Sequence, residues 1–247
     1  NRCGAECRRR RASRGDHRSW ALRGGDRVTS PDVTLGLDTA GGVAAAAITG
    51  EAQGVSTTKV QALEGLLPCV QRALAAIDRD VSAVRSVAVC AGPGSFTGLR
   101  IGVAFAKSLA QALDIASIGV SSFDIVESVR TQSEGTVPRL TVVEGKRGFY
   151  YARIAMAPDV APVIVAGDEA ALSAAARAAF GAAEGEAALR RALAGVACDP
   201  GLRVVAAATL GLAALAKGVD GDWRRLAIEY GQRPNAVVNW ELRHGRG

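Results

Sequence analysis

Residues Val87–Ser122 read VAVCAGPGSFTGLRIGVAFAKSLAQALDIASIGVSS, and this stretch decides the fold. An apolar run, Val87–Cys90, stops at Gly92-Pro93-Gly94-Ser95-Phe96-Thr97-Gly98. Helical spacing follows at once, and a second apolar run begins near Ala116. Strand, glycine-rich loop, helix, strand is the order of a parallel α/β sheet. The loop falls at the C-terminal end of a strand and the N-terminus of a helix, where such sheets bind ligands or partners. A Walker A loop is excluded, because Gly98 is followed by Leu99-Arg100 and Lys107-Ser108 is preceded by Ala106. A nucleophile elbow is excluded too, because Gly94 stands directly before Ser95. Two readings stay open: a tight strand-to-helix turn, or a loop that meets a ligand or partner.

The helix after the loop carries two stripes. Ile101, Phe105, Leu109 and Leu113 fall four apart and form an apolar line. Gly98, Gly102, Ala106 and Ala110 form a line without bulk, which would let a second helix approach closely. Arg100, Lys107, Gln111 and Asp114 mark a polar side. Spacing does not say whether the neighbouring helix is internal or belongs to another subunit.

Upstream, Val33–Asp38 reads as a buried strand, Gly41-Gly42 as a turn, Val43–Ile48 as a returning strand, and a weaker third strand runs through about Val55. Val60, Leu63, Leu67, Val70, Leu74 and Ile77 then follow steps of three and four, a coiled-coil-like seam in which Pro68 should kink or restart the helix. Downstream, Leu140–Glu144 and Phe149–Met156 read as strands around a Gly145–Gly148 turn, and the chain is alanine-rich from Ala166 to about Lys217. Alanine favours helix but buries little area per residue, so this half should be the less stable one.

The formal charge of +6 and pI near 9.4 would ordinarily suggest nucleic acid. All of the excess lies in residues 1–30, which hold 9 Arg, including Arg8–Arg11, against 3 acids; the remaining chain holds 21 basic and 21 acidic residues. The leader lacks the apolar core of a secretory signal and is read as disordered and foreign to the fold. No apolar run is long enough to span a bilayer. Five scattered cysteines favour a reducing compartment, and Cys3, Cys7 and His17 are an incomplete metal set. No metal site is expected, and a cytoplasmic location is.

The element order of three strands, helix, strand, loop, helix, strand, helix resembles the actin-like (ribonuclease H-like) fold: an α/β architecture of two half-domains with mixed sheets flanked by helices. In that fold the turn after Asp38-Thr39 reaches toward nucleotide phosphates; the alternative is that Asp38 simply caps the Gly41-Gly42 turn. The run GPGSFTGLRIG at Gly92–Gly102, with Leu35–Ala40, Leu66-Leu67-Pro68 and Ile118–Ser122, is similar to the TsaB/YeaZ family. The likeness thins after Val126. Glu144-Gly145-Lys146 stands where that family has Asp-Ala-Arg, and its C-terminal Pro-x-Tyr-x-Arg pattern is echoed by Ile228, Tyr230 and Arg233.

The resemblance implies a non-catalytic subunit of the machinery that makes threonylcarbamoyladenosine at position 37 of tRNA. It implies a homodimer, a heterodimer with a TsaD-like catalytic subunit, a TsaE-like ATPase as a further partner, and tRNA met through the complex. The expected partner face holds Val60, Leu63, Leu67, Gly98, Arg100, Ile101, Gly102, Phe105, Ala106 and Leu109. Asp38, Thr39 and Gly92, Pro93, Gly94, Ser95, Phe96 and Thr97 form a loop at a degenerate nucleotide or partner site. No cofactor is expected beyond weak nucleotide binding there, with Asp38 and Glu144 as the acidic remnants of an ATPase site. His17 and His244 stand one in each tail and cannot build the His pair of the catalytic relative. The expected organisation is a basic leader at 1–30, an N-terminal half at 31–132 carrying the dimerisation helices, and a degenerate C-terminal half at 133–247. A stand-alone actin-fold kinase or ATPase is the alternative. A peptidase is disfavoured by the missing His pair and missing Ser-x-Gly spacing.

Overall fold

The structure, a computed structural model, describes residues 32–130 and 139–231. The basic leader with Cys3, Cys7 and His17, and Arg233 and His244 at the other end, lie outside the described residues.

The first sheet is built from β1 (Val33–Asp38), β2 (Val43–Ile48), β3 (Gln53–Thr58), β4 (Val84–Gly92) and β5 (Ala116–Ser121), in the order β3-β2-β1-β4-β5. β1, β2 and β3 pair antiparallel, and β1, β4 and β5 pair parallel. Every residue of β1 is buried, because helices cover the sheet on both sides. The pleat sorts the side chains by size. Leu35, Leu37, Val87 and Val89 point to α1 (Ala62–Ala75) and α2 (Phe96–Leu113), meeting Leu66, Val70, Leu74, Val103 and Ala106.

The opposite face carries Ala44, Ala46, Ala88 and Cys90 and receives α6 (Pro200–Ala216) through Val204 and Ala207. Gly36 and Gly211 sit in this contact. A Cβ on Gly36 would lie 2.6 Å from the Val204 carbonyl, and one on Gly211 would lie 2.4 Å from Ala88 Cβ. Small residues on both surfaces therefore set a short helix-to-sheet distance. α3 (Ser122–Arg130) packs beside α6.

The second sheet, β6 (Arg139–Lys146), β7 (Phe149–Ala155) and β8 (Val163–Gly167), is an antiparallel meander. α4 (Glu169–Phe180) and α5 (Ala182–Ala194) cover it, and Leu140, Val142, Ile154, Leu172 and Leu189 form its core. An ion-pair network ties this sheet to α3. Glu127 meets Arg153 at 2.8 Å and Arg139 at 3.0 Å and accepts from Thr141 at 2.6 Å, while Arg153 also meets Asp124 at 2.7 Å.

Two expectations are corrected. Pro68 does not restart α1, which runs through it from Ala62 to Ala75. Pro68 and Glu64 both lie on the exposed side, where solvent serves the carbonyl that a residue-68 amide would have bonded. The C-terminal half does not extend from 133 to 247: from Pro200 the chain returns to the first sheet, where α6 lies against β1, β2 and β4. The strand β8 had no forecast, since its sequence, with the consecutive Val163 and Ile164 both exposed, shows no alternation of polar and apolar residues.

Candidate functional site

The glycine-rich loop closes around the end of β1. Ser95 N–H donates to the Ala40 carbonyl at 3.0 Å, and Ser95 Oγ caps α2 by accepting from Gly98 N–H at 3.3 Å. Thr39 Oγ1 donates to the Gly98 carbonyl at 2.7 Å. A Cβ on Gly94 would stand 2.7 Å from Ala40 Cβ, one on Gly98 1.9 Å from the Thr39 carbonyl, and one on Gly102 2.2 Å from Thr39 Oγ1. Gly92, with φ +116°, is pressed against the Glu229 carbonyl, and Glu229 N–H donates to Ala91. The glycines of the motif are thus contact points with a strand end and with the C-terminal segment.

This corrects the reading of the small-residue line. Gly98, Gly102, Ala106 and Ala110 are buried inside the subunit, the two glycines against Thr39 and the two alanines in the core that α2 shares with α1 and the sheet. A bulky side chain there strikes the core. The outward side of α2 is the side of Arg100, and it adds Ala104 and Ser108, which sequence reading passed over. Their signal was present: they follow Arg100 at steps of four.

Beside them α1 exposes Leu63 (79%), Leu67 (53%) and, just before the helix, Val60 (49%). Ile101, Phe105 and Leu109 are half-buried between these and the core. Leu66, Val70 and Leu74 turn inward, so the seam read from spacing splits between core and surface. At the N-terminal end of α2, the Arg100 guanidinium lies 3.8 Å from the centroid of the exposed Phe96 ring, and Arg100 Nε donates to Tyr230 Oη at 3.2 Å.

A cleft of about 710 Å³ opens between the two sheets. Thr39–Val43, Ser95, Thr97 and Gly98 line one wall, and Val143–Arg147 line the other. Asp38 lies behind it. Its Oδ1 accepts from Ala40 N–H at 2.8 Å, the turn-capping role, and its Oδ2 accepts from Arg203 Nε at 2.8 Å. Both partners are buried, and Arg203 reaches the cleft wall beneath Gly41. Glu144 stays exposed on the far rim.

The actin-like fold implies a nucleotide with a divalent cation in such a cleft, and these residues do not fit that pair. The acid on β1 is already neutralised by a guanidinium. Among the described residues no three His, Cys, Asp or Glu side chains come together as metal ligands. Neither Cys90 nor Cys198 is an activated nucleophile. Burial, reinforced by the Asp38 carboxylate, pushes the Cys90 thiol up to about 12, and burial raises Cys198 as well. Among the described residues no helix is long and apolar enough to cross a membrane.

Comparison with known proteins gives a consistent set. The family described as "TsaD: tRNA N6-adenosine threonylcarbamoyltransferase" matches residues 53–170. The chain is 31% identical over 86 residues to "tRNA threonylcarbamoyladenosine biosynthesis protein TsaB" of Escherichia coli, covering 35% of this chain and 37% of that protein. It is 46% identical over 59 residues to "tRNA N6-adenosine threonylcarbamoyltransferase" of Salinibacter ruber, covering 24% of this chain and 18% of that protein. The solved structure "YeaZ from Pseudomonas aeruginosa" superposes with a TM-score of 0.57 at 17% identity, covering 80% of this chain and all of that one, which establishes the actin-like fold. The chain spans little more than a third of the TsaB relative it matches, and less than a fifth of the transferase.

Proposed function

We propose that this chain is a TsaB/YeaZ-type protein, a non-catalytic, TsaB-like subunit of a threonylcarbamoyltransferase complex, a reading supported by the stretch it shares with its relatives. The complex forms N6-threonylcarbamoyladenosine at tRNA position 37, in the cytoplasm. In this reading the chain pairs with itself and with a TsaD-like catalytic subunit, and a TsaE-like ATPase and tRNA are met through that assembly.

The observation that carries the proposal is the helical face. Leu63 and Leu67 stand exposed beside Ala104 and Ser108, with Ile101 and Phe105 half-buried between them. Such a face, apolar and low in relief, suits a helix pair of another subunit.

The test is stoichiometric co-purification with a TsaD homologue, and light scattering of the chain alone. Replacing Leu63 and Leu67 by Asp should abolish pairing in a chain that still melts cooperatively. A doubly substituted chain that stays dimeric and retains the TsaD homologue would overturn the assignment of this face. Metal-dependent ATP turnover by the isolated chain would overturn the non-catalytic role.

A further inference from the structure

The disagreement between the fold's expected ligand and the residues in the cleft has a specific carrier. Arg203 comes from the second turn of α6, a helix started by Asp199, whose carboxylate accepts from Leu202 N–H at 3.0 Å. Its side chain is only 8% exposed and that of Asp38 only 3%. A position for a Cβ on Gly41 lies 3.7 Å from Arg203 Cζ and 3.8 Å from both Nε and Nη2, so the guanidinium lies directly beneath the turn that forms the cleft wall. One carboxylate oxygen of Asp38 is held by Ala40 N–H and the other by Arg203 Nε. Each oxygen is thus engaged, one by a backbone amide and the other by a fixed positive charge.

We infer that Arg203 is a built-in counter-ion standing in the place of a divalent cation at Asp38, so that the cleft excludes metal-bound nucleotide and its metal-binding capacity returns when Arg203 is removed. The reasoning is electrostatic. A buried carboxylate needs one compensating positive charge. A covalently attached guanidinium, held by a long helix packed on small residues, supplies that charge without any loss of ligand entropy. A divalent ion arriving there would meet a like charge within a few ångström in a poorly solvated site. The inference concerns the cleft alone and stands whether or not the helical face binds a TsaD-like subunit.

The experiment uses Mn²⁺ as the probe on the full chain, with electron paramagnetic resonance counting bound ion and thermal melting reporting stability. Four proteins are compared: the unaltered chain, Arg203→Lys, Arg203→Met, and the double change Asp38→Asn with Arg203→Met. The unaltered chain and Arg203→Lys should bind no Mn²⁺ above the double variant and should melt at the same temperature with and without it. Arg203→Met should bind Mn²⁺ at least about tenfold more tightly than the unaltered chain, as expected when a fixed like charge beside the ion is removed. Its lowered melting temperature should rise on addition of Mn²⁺. If Arg203→Met folds only in the presence of Mn²⁺, the inference is supported in the same way. Mn²⁺ bound by the unaltered chain above the level of the double variant would overturn it. So would an Arg203→Met chain in which Mn²⁺ restores neither folding nor melting temperature.

Discussion

Replacing Gly98 by Ala tests the central claim about the glycine motif, that its glycines serve the inside of the subunit. The new Cβ would lie 1.9 Å from the Thr39 carbonyl oxygen and 3.0 Å from its carbon, both backbone atoms at the end of a strand buried on each side. Neither can swing away like a flexible side chain, so α2 or the end of β1 must move. Three effects compete. Ala in place of Gly favours the helix by up to about 1 kcal/mol. Separating α2 from Thr39 weakens the bond from Thr39 Oγ1 to the Gly98 carbonyl, a loss of about 1 kcal/mol. Overpacking a rigid contact costs about 3 kcal/mol, the upper part of the usual range. The net is a destabilisation of roughly 3 kcal/mol, or about 6–12 °C in melting temperature for a chain of this size. The assay is a thermal melt beside Ala104→Leu, an exposed position on the same helix, which should stay within about 0.5 kcal/mol of the parent. A Gly98→Ala chain that melts at or above the parent while losing its partner would refute the inward placement and restore the motif to the interface.

The surface change gives the opposite pattern: Leu63→Asp, at a side chain 79% exposed, should leave melting within about 0.5 kcal/mol of the parent yet dissociate the subunits by light scattering. Acid should loosen the junction between the sheets. Burial raises Glu127, but hydrogen bonds from Thr141, Arg153 and Arg139 and the charge of Arg153 outweigh it and hold its carboxyl below the ordinary 4.5. A depressed acid stabilises the fold above its unfolded value and loses that contribution as the pH falls through the folded one. Unfolding measured against pH should therefore steepen below about pH 4.5, and Glu127→Gln should be weaker at neutral pH with a flatter acid limb. Alkylation of the native chain at pH 8, read by peptide mass mapping, should leave Cys90 unmodified, since a thiol titrating near 12 carries roughly one thiolate in ten thousand there.

The N-terminal half was legible because its signals are local. Val33–Asp38 and Val87–Cys90 are apolar runs bounded by glycines, and Ser95 precedes its helix as a cap should. The outward side of α2 was less legible, because a line of small residues looks the same whether it meets a foreign helix or its own strand end. Only the position of Thr39 decides between them, and Thr39 is 59 residues away from Gly98 in sequence. The pairing of Asp38 with Arg203 spans 165 residues and left no trace in spacing. The return of α6 was hidden for a related reason: an alanine-rich helix advertises its conformation but not which sheet it covers, since alanine fits against either.

That return has a consequence for how the molecule is made. A ribosome releases β1 through β5 first, yet much of one face of that sheet, with Gly36, Ala44, Ala46 and Ala88, meets its helical cover when Pro200–Ala216 follows. The second sheet and its two helices, whose strands join neighbours in sequence, can assemble in the interval from local contacts. The nascent first half waits with a sticky, shallow surface open, which is where a holding chaperone would act and where premature termination before α6 would lead to aggregation.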